Sequence, residues 1–285
     1  MKTTTRERYA ERIERVVRFL NTHLDADIDL HRLAEEAALS PYHFHRVYHA
    51  HMGETVQETV RRMRLHRAAQ GLQESSHPVA RIAREAGFGS VPAFSRAFRA
   101  AYSLPPAAFR ARRFVAFPVL PLPGKQEIAM QTVTIENRPA LKVAALAHQG
   151  DYQLIGNSFD RLTAWAGGQG LLGPQTRSFG IYYDDPDAMP LAQLRSEACL
   201  TVPDTFEGMG DYRALHTPGG RCAVLEFVGP YVELHKAYTW LFREWLPGSG
   251  EEPGDAPAFE EYLNDPRDTP QEALRTAICI PLKPR

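Results

Sequence analysis

The sequence predicts a multidomain protein: an all-α domain with two helix-turn-helix units, followed by an α+β domain of two β-α-β-β halves around a central cleft. Three observations predict it. Apolar residues recur at helical spacing from Glu7 to about Arg113, then in short alternating or β-branched runs. Each half contains an internal repeat. The charge divides with the pattern: residues 1–115 hold 19 basic and 12 acidic side chains, and residues 116–285 hold 14 and 22. A length of 285 residues accommodates two domains. The expected division is 1–117, a proline-rich linker over 118–127 with Pro118, Pro121 and Pro123, and 128–285.

In the first half, Ile13, Val16, Val17 and Leu20 mark one helix, and Leu30, Leu33, Ala34 and Ala37 mark the next. The segment Leu33-Ala34-Glu35-Glu36-Ala37 returns 49 residues later as Ile82-Ala83-Arg84-Glu85-Ala86. After a turn longer by one residue, Ser40, Phe44, Arg46 and Tyr48 return as Ser90, Phe94, Arg96 and Phe98. Each copy reads as a short helix, a tight turn, a serine able to cap, and a second helix with an inward aromatic stripe. Between the copies, Glu54 to Leu72 forms a long helix with Arg61, Arg62, Arg64 and Arg67 on its polar side.

In a helix-turn-helix the second helix enters the major groove. The first reading helix, about Pro41 to His51, is expected to expose Tyr42, His43, His45, Arg46 and His49 while Phe44, Val47 and Tyr48 pack inward. The second, about Ser90 to Ala101, offers Val91, Pro92, Ser95, Arg96 and Arg99. An arginine forks onto guanine or clamps a phosphate, and the apolar start of the second helix suits thymine methyls or DNA shape. His43, His45, His49 and His51 lack an acidic or cysteine partner on their helix, so no metal is expected.

In the second half, strands are expected over Gln131 to Ile135, Leu141 to Ala147, Phe179 to Tyr183, Glu197 to Val202, Cys222 to Val228 and Ala277 to Leu282. Helices are expected over Ile155 to Trp165 and Val232 to Trp245. Ala144 to Tyr152 corresponds to Ala223 to Tyr231 at a spacing of 79, and Phe159 and Leu162 correspond to Tyr238 and Leu241. A cleft between two such halves suits a small molecule. Tyr152, Tyr182, Tyr231, Trp240, Trp245 and Tyr262 are the candidate walls, with Glu226 and Glu260 as acidic floor or rim. Ring faces with a desolvated carboxylate favour a flat or lipophilic cation.

Residues 10–113 resemble the DNA-binding domain of the AraC/XylS family of bacterial transcription regulators. The likeness is strongest over IAREAGFGSVPAFSRAFRAAYSLPPAAFR, Ile82 to Arg110, and recurs in LAEEAALSPYHFHRVYHAHMG, Leu33 to Gly53. It implies base reading by Tyr42, His45 and Arg46 in the first helix and by Val91, Pro92 and Arg96 in the second. GPYxxLxxAYxxLxxWLPxSG, Gly229 to Gly250, followed by PAFEEYLNDP, Pro257 to Pro266, resembles the gyrase-inhibitor-like effector-binding domain found in Rob-like regulators. That likeness covers residues 128–283 and implies Glu260 as the pocket glutamate beside Tyr262.

The implied protein is a transcription regulator that binds double-stranded DNA and a small aromatic or cationic effector, contacts RNA polymerase, and acts as a monomer or weak dimer. No cofactor, metal or catalytic residue is expected. No run reaches the ~20 apolar residues of a membrane span, and the charged start does not read as a signal peptide, so a cytoplasmic location is expected. Cys199, Cys222 and Cys279 lack a paired spacing. Two alternatives stay open: hydrolysis of a small electrophile with Glu226 or Glu260 as base, and an architectural DNA binder with a protein-interaction module.

Overall fold

The computed structural model describes residues 5–26, 28–112 and 132–284, so the linker expected over 118–127 lies outside the described residues. Helix α1 (Thr5–Thr22) buries Tyr9, Ile13, Val16 and Leu20, a stripe at three- and four-residue spacing. It packs on the first helix-turn-helix unit, α2 (Leu30–Ala37) and α3 (Pro41–Met52). Helix α4 (Val56–Glu74) opens with a capping box between Thr55 and Glu58 and leads to the second unit, α5 (Val79–Glu85) and α6 (Val91–Tyr102). Helix α7 (Pro106–Arg112) closes the domain and buries Phe109.

The two units repeat in packing but differ at the turn. Ala38 and Gly87, equivalent in the repeat, both have positive φ, 50° and 76°. Glycine is the unstrained choice there, and a Cβ on Gly87 would meet the Arg64 guanidinium at 2.8 Å. The expected serine caps also differ. The Ser90 side chain accepts from the Ala93 N–H, whereas the Ser40 hydroxyl makes no capping bond and is buried without a partner among the described residues. Three of the four arginines expected on the polar side of α4 act as internal braces. Arg62 pairs with Glu54, Arg64 donates to the Leu24 carbonyl at 2.8 Å, and Arg67 pairs with Asp25.

The second domain is an antiparallel sheet. Its elements are β1 (Val133–Arg138), β2 (Lys142–Gln149), α8 (Gly156–Gly168), β3 (Ser178–Tyr182), β4 (Arg195–Thr201), β5 (Arg213–His216), β6 (Gly220–Val228), α9 (Leu234–Trp240), α10 (Leu246–Ser249), β7 (Ala258–Tyr262) and β8 (Arg275–Pro281). Helices α9 and α10 are joined by a π turn, Leu241–Trp245, so the single helix expected over Val232 to Trp245 is interrupted. The strand order is β1-β6-β8-β7-β3-β4-β2-β5. The halves β2-α8-β3-β4 and β6-α9-α10-β7-β8 meet at the β3–β7 pair, where Gly180 lies opposite Glu260. The remaining strands are exchanged: β1 pairs with β6 of the second half and β5 with β2 of the first. Strands β5 and β7 were not among the runs expected.

On one face of the sheet, Ala144, Leu146, Ala198 and Leu200 pack with Leu162 and Ala166 of α8. The other face buries Val143, Phe179, Ile181 and Phe259 together with the free thiols Cys199, Cys222 and Cys279. The core that positions the functional site runs between domains. Ile13, Phe44 and Val47 from the helical domain share one buried cluster with Leu225, Leu241, Phe242, Leu246 and Ile280 from the sheet domain. The second unit, with Phe94, Phe98 and Leu72, has a core of its own.

Candidate effector cavity and DNA-reading helices

The joint between the sheet halves supplies the chemistry. Glu260 is 4 % exposed, and its two oxygens are separately bound: Tyr238 Oη donates to Oε1 at 3.0 Å and Tyr262 Oη to Oε2 at 3.0 Å. Tyr182 Oη lies 2.6 Å from Tyr262 Oη. Tyr262 spends its one proton on the carboxylate, so Tyr182 donates to Tyr262 and a directed relay ends on Glu260. Gly180 makes this possible. A Cβ there would stand 2.8 Å from both the Tyr182 and Tyr262 hydroxyls. The repeat thus carries a glycine in one half and a carboxylate in the other, leaving one acid on the joint.

Burial pushes Glu260 up to about 7, against the tyrosine hydrogen bonds and the nearby Arg46 charge. The same burial, with the Glu260 charge beside them, holds Tyr182, Tyr238 and Tyr262 well above the ordinary tyrosine range, so these hydroxyls stay protonated. Around them the rings meet edge to face: Tyr152 on Tyr182 at 4.8 Å, Tyr231 on Tyr262 at 5.3 Å and Phe159 on Tyr262 at 5.4 Å. The space enclosed is a cavity of about 710 Å³, bordered also by Asp185. Asp185 is 5 % exposed; its Oδ1 accepts the Asp187 N–H at 3.1 Å, and its Oδ2 is buried with no hydrogen-bond partner among the described residues.

The fourth wall comes from the other domain. Arg46 and His49 of α3 border the cavity. The Arg46 guanidinium lies 4.3 Å from the centre of the Tyr238 ring and donates a long hydrogen bond, 3.4 Å, to the Asp184 carbonyl. His49 faces Asp187 at 3.6 Å, and Tyr42 packs on Tyr183 with ring centres 6.0 Å apart. His43 was expected on an exposed face, but it is fully buried, with Nε2 3.0 Å from the Ala256 carbonyl and its ring against Phe242. Burial and the Arg46 charge lower its pKa to about 3, so the imidazole is neutral and Nε2 donates to that carbonyl. The exposure prediction treated the helical domain alone, and the sheet domain covers this face. Helix α1 is pinned to the same domain, with Arg8 and Arg12 each 3.0 Å from Glu252.

Helix α6 is different. Val91, Pro92, Arg96 and Arg99 are exposed and Ser95 is half-buried. Arg61 and Arg64 join Arg96 along a groove between α4 and α6. Of the candidate reading residues, those of α6 therefore form one open basic face, while Tyr42, His43, Arg46 and His49 are gathered at the domain interface, and His45 is half-buried beside them. Of the candidate cavity residues, Tyr152, Tyr182, Tyr231, Glu260 and Tyr262 come together. Glu226 does not: it is exposed on β6 and pairs with Arg275 at 2.6 Å. Trp240 and Trp245 pack against the shared core instead of the cavity. The sequence reading missed Tyr238, Phe159 and Asp185. The repeat, which already matches Phe159 to Tyr238, was a usable signal for two of them.

A double helix-turn-helix domain coupled to a duplicated sheet domain with an aromatic, acid-floored cavity defines a DNA-binding transcription regulator with a small-molecule-binding domain. The chain belongs to the GyrI-like family: residues 131–283 match the GyrI-like small molecule binding domain. Residues 33–112 match a helix-turn-helix domain, here of AraC type. The chain is 30 % identical to the protein named "Probable transcriptional regulator YgiV" of Escherichia coli K12, over 155 residues that are 53 % of this chain and 95 % of that one. The chain is also 30 % identical over 102 residues, 36 % of this chain and 35 % of the other, to "Uncharacterized HTH-type transcriptional regulator YbfP" of Bacillus subtilis. Among solved structures, the chain resembles EcmrR in an EcmrR–DNA complex, with a TM-score of 0.49 and 18 % identity over 55 % of this chain and 59 % of that one. No helix among the described residues is long and apolar enough to cross a membrane.

Proposed function

We propose that the chain is a sequence-specific regulator in which residues 1–117 bind double-stranded DNA, residues 128–285 bind a small aromatic cation, and residues 118–127 join them. The observation that carries this reading is a buried carboxylate, Glu260, ringed by tyrosines at the floor of a cavity, in the same chain as an open arginine-bearing reading helix. Ionised Glu260 is costly without a positive partner, and a cation between ring faces supplies that charge. Arg96 and Arg99 supply phosphate or guanine contacts, and Val91 and Pro92 suit thymine methyls. The reading places the protein in the cytoplasm as a monomer or weak dimer, with RNA polymerase as a partner, and assigns it no cofactor and no turnover.

The test is selection of duplexes from a random pool at fixed physiological salt, followed by titration of the winner against an unrelated duplex. A preference of at least ~100-fold is expected. In parallel, tetraphenylphosphonium is titrated calorimetrically into the full chain and into Glu260→Gln, which should bind it at least about tenfold more weakly. Equal affinity for every duplex would refute the DNA half of this reading. Absence of cation binding, or binding indifferent to Glu260→Gln, would refute the effector half.

A further inference from the structure

Among the acids that line the cavity, Asp185 is the buried one that the tyrosine relay does not serve. Asp185 Oδ2 is buried and has no hydrogen-bond partner in the described structure. Such an oxygen calls for a donor, which a quaternary cation cannot provide and a guanidinium can. The fold already places a guanidinium in this neighbourhood. Arg46 sits over the Tyr238 ring, whose hydroxyl binds Glu260, with the Phe242 ring 5.7 Å away and the long bond to the Asp184 carbonyl as its hydrogen bond. Its positive charge is therefore held by ring faces and field, with no carboxylate fork among the described residues.

We propose that the effector is a planar aryl-guanidinium-type cation and that it takes over the place of Arg46, so that the first DNA-reading helix is itself the internal occupant of the effector site. This rests on the reading of the cavity as a cation site. Arg46 serves two sites that exclude one another: the ring of Tyr238 while α3 is docked, and DNA once α3 is free. A cation entering between Tyr238, Glu260 and Asp185 fills the same ring face, satisfies Asp185, and repels Arg46. What remains to hold α3 is the apolar core that Phe44 and Val47 share with Phe242 and Leu246, His43 on the Ala256 carbonyl, His49 on Asp187, Tyr42 on Tyr183, and, through α1, the clamp of Arg8 and Arg12 on Glu252. Effector and DNA then favour the same open form, and each must tighten binding of the other by one common factor.

Phenylguanidinium is the probe and phenylurea its uncharged control, used on the full chain with its selected duplex. Three results are expected. Saturating phenylguanidinium tightens duplex binding by at least about tenfold, and the duplex tightens phenylguanidinium binding equally. Hydrogen exchange of the α3 amides accelerates with phenylguanidinium and not with phenylurea, while that of α6 is unchanged. Glu252→Gln, outside both the cavity and the reading faces, binds the duplex more tightly than wild type before any cation is added, and Asp185→Asn weakens phenylguanidinium while sparing tetraphenylphosphonium.

The failures separate. If tetraphenylphosphonium binds and phenylguanidinium does not, or if phenylguanidinium and duplex bind with no mutual effect, the present inference is overturned and the cation-site reading stands. If neither cation binds, the cation-site reading fails, and the inference falls with it.

Discussion

The two helix-turn-helix units were built from one pattern and set it in different surroundings. Phe44 and Phe94, and Tyr48 and Phe98, are buried alike, so the repeat is faithfully a repeat of packing. Arg46 and Arg96 occupy equivalent positions on the other face, yet one lies over a tyrosine of the effector cavity and the other faces solvent. The core of a unit is dictated by its own residues. The role of its outer face depends on what another part of the chain lays against it.

The first way to probe this comparison is where the units should agree. Phe44→Ala and Phe94→Ala each remove a fully buried ring, and each is expected to cost about 3–5 kcal/mol in denaturant unfolding of the full chain. A small cost for either would show that the aromatic stripes are not equivalent. The second probe is where they should differ. Without cation, Arg96→Ala should lose about 1–3 kcal/mol of duplex affinity while Arg46→Ala loses little or gains. Equal losses would place both helices on DNA in the resting state.

A gentler probe is pH. Glu260, lifted to about 7 by burial, is mostly protonated at pH 6 and ionised at pH 8, with Arg46 and the protonated Tyr182, Tyr238 and Tyr262 as its charged and titratable surroundings. A cation that needs the ionised form should bind roughly tenfold more weakly at pH 6 than at pH 8, and Glu260→Gln should flatten that profile. His43 acts in the opposite sense. Its pKa is lowered on docking, so the docked form is fully supported above the ordinary imidazole value and loses support as pH falls through and below it. Exchange of α3 amides, corrected for intrinsic rates, should therefore rise between pH 7.5 and 5.5, and exchange of α6, which carries no histidine, should not.

Much of the architecture was legible because repetition is a strong signal. The 49- and 50-residue spacing located α3 and α6 to within a residue or two, and the 79-residue spacing located β2 and β6 and their following helices. Strand β5 was not legible: four residues, Arg213–His216, at a sheet edge show no alternation to read. Strand β7 was hidden by its own chemistry, since Glu260 and Glu261 look like surface residues until Tyr238 and Tyr262, or Arg138 and Arg177, are brought to them. Of the cavity tyrosines, Tyr152, Tyr182, Tyr231 and Tyr262 could be named from turns and motifs, and Tyr238 could not. The part played by Arg46 could not, because Tyr238 is distant in sequence and on another domain, and no local pattern encodes their meeting.

The most direct measurement is duplex selection by the full chain, run twice, with and without saturating phenylguanidinium. Without it, the recovered site should carry information for one major-groove reader, α6. With it, a second element should appear about one helical turn away, ~10–10.5 bp, as α3 joins. The same two-part site in both pools would contradict the account, because the first unit would then be free to read DNA whether or not its arginine was needed in the cavity.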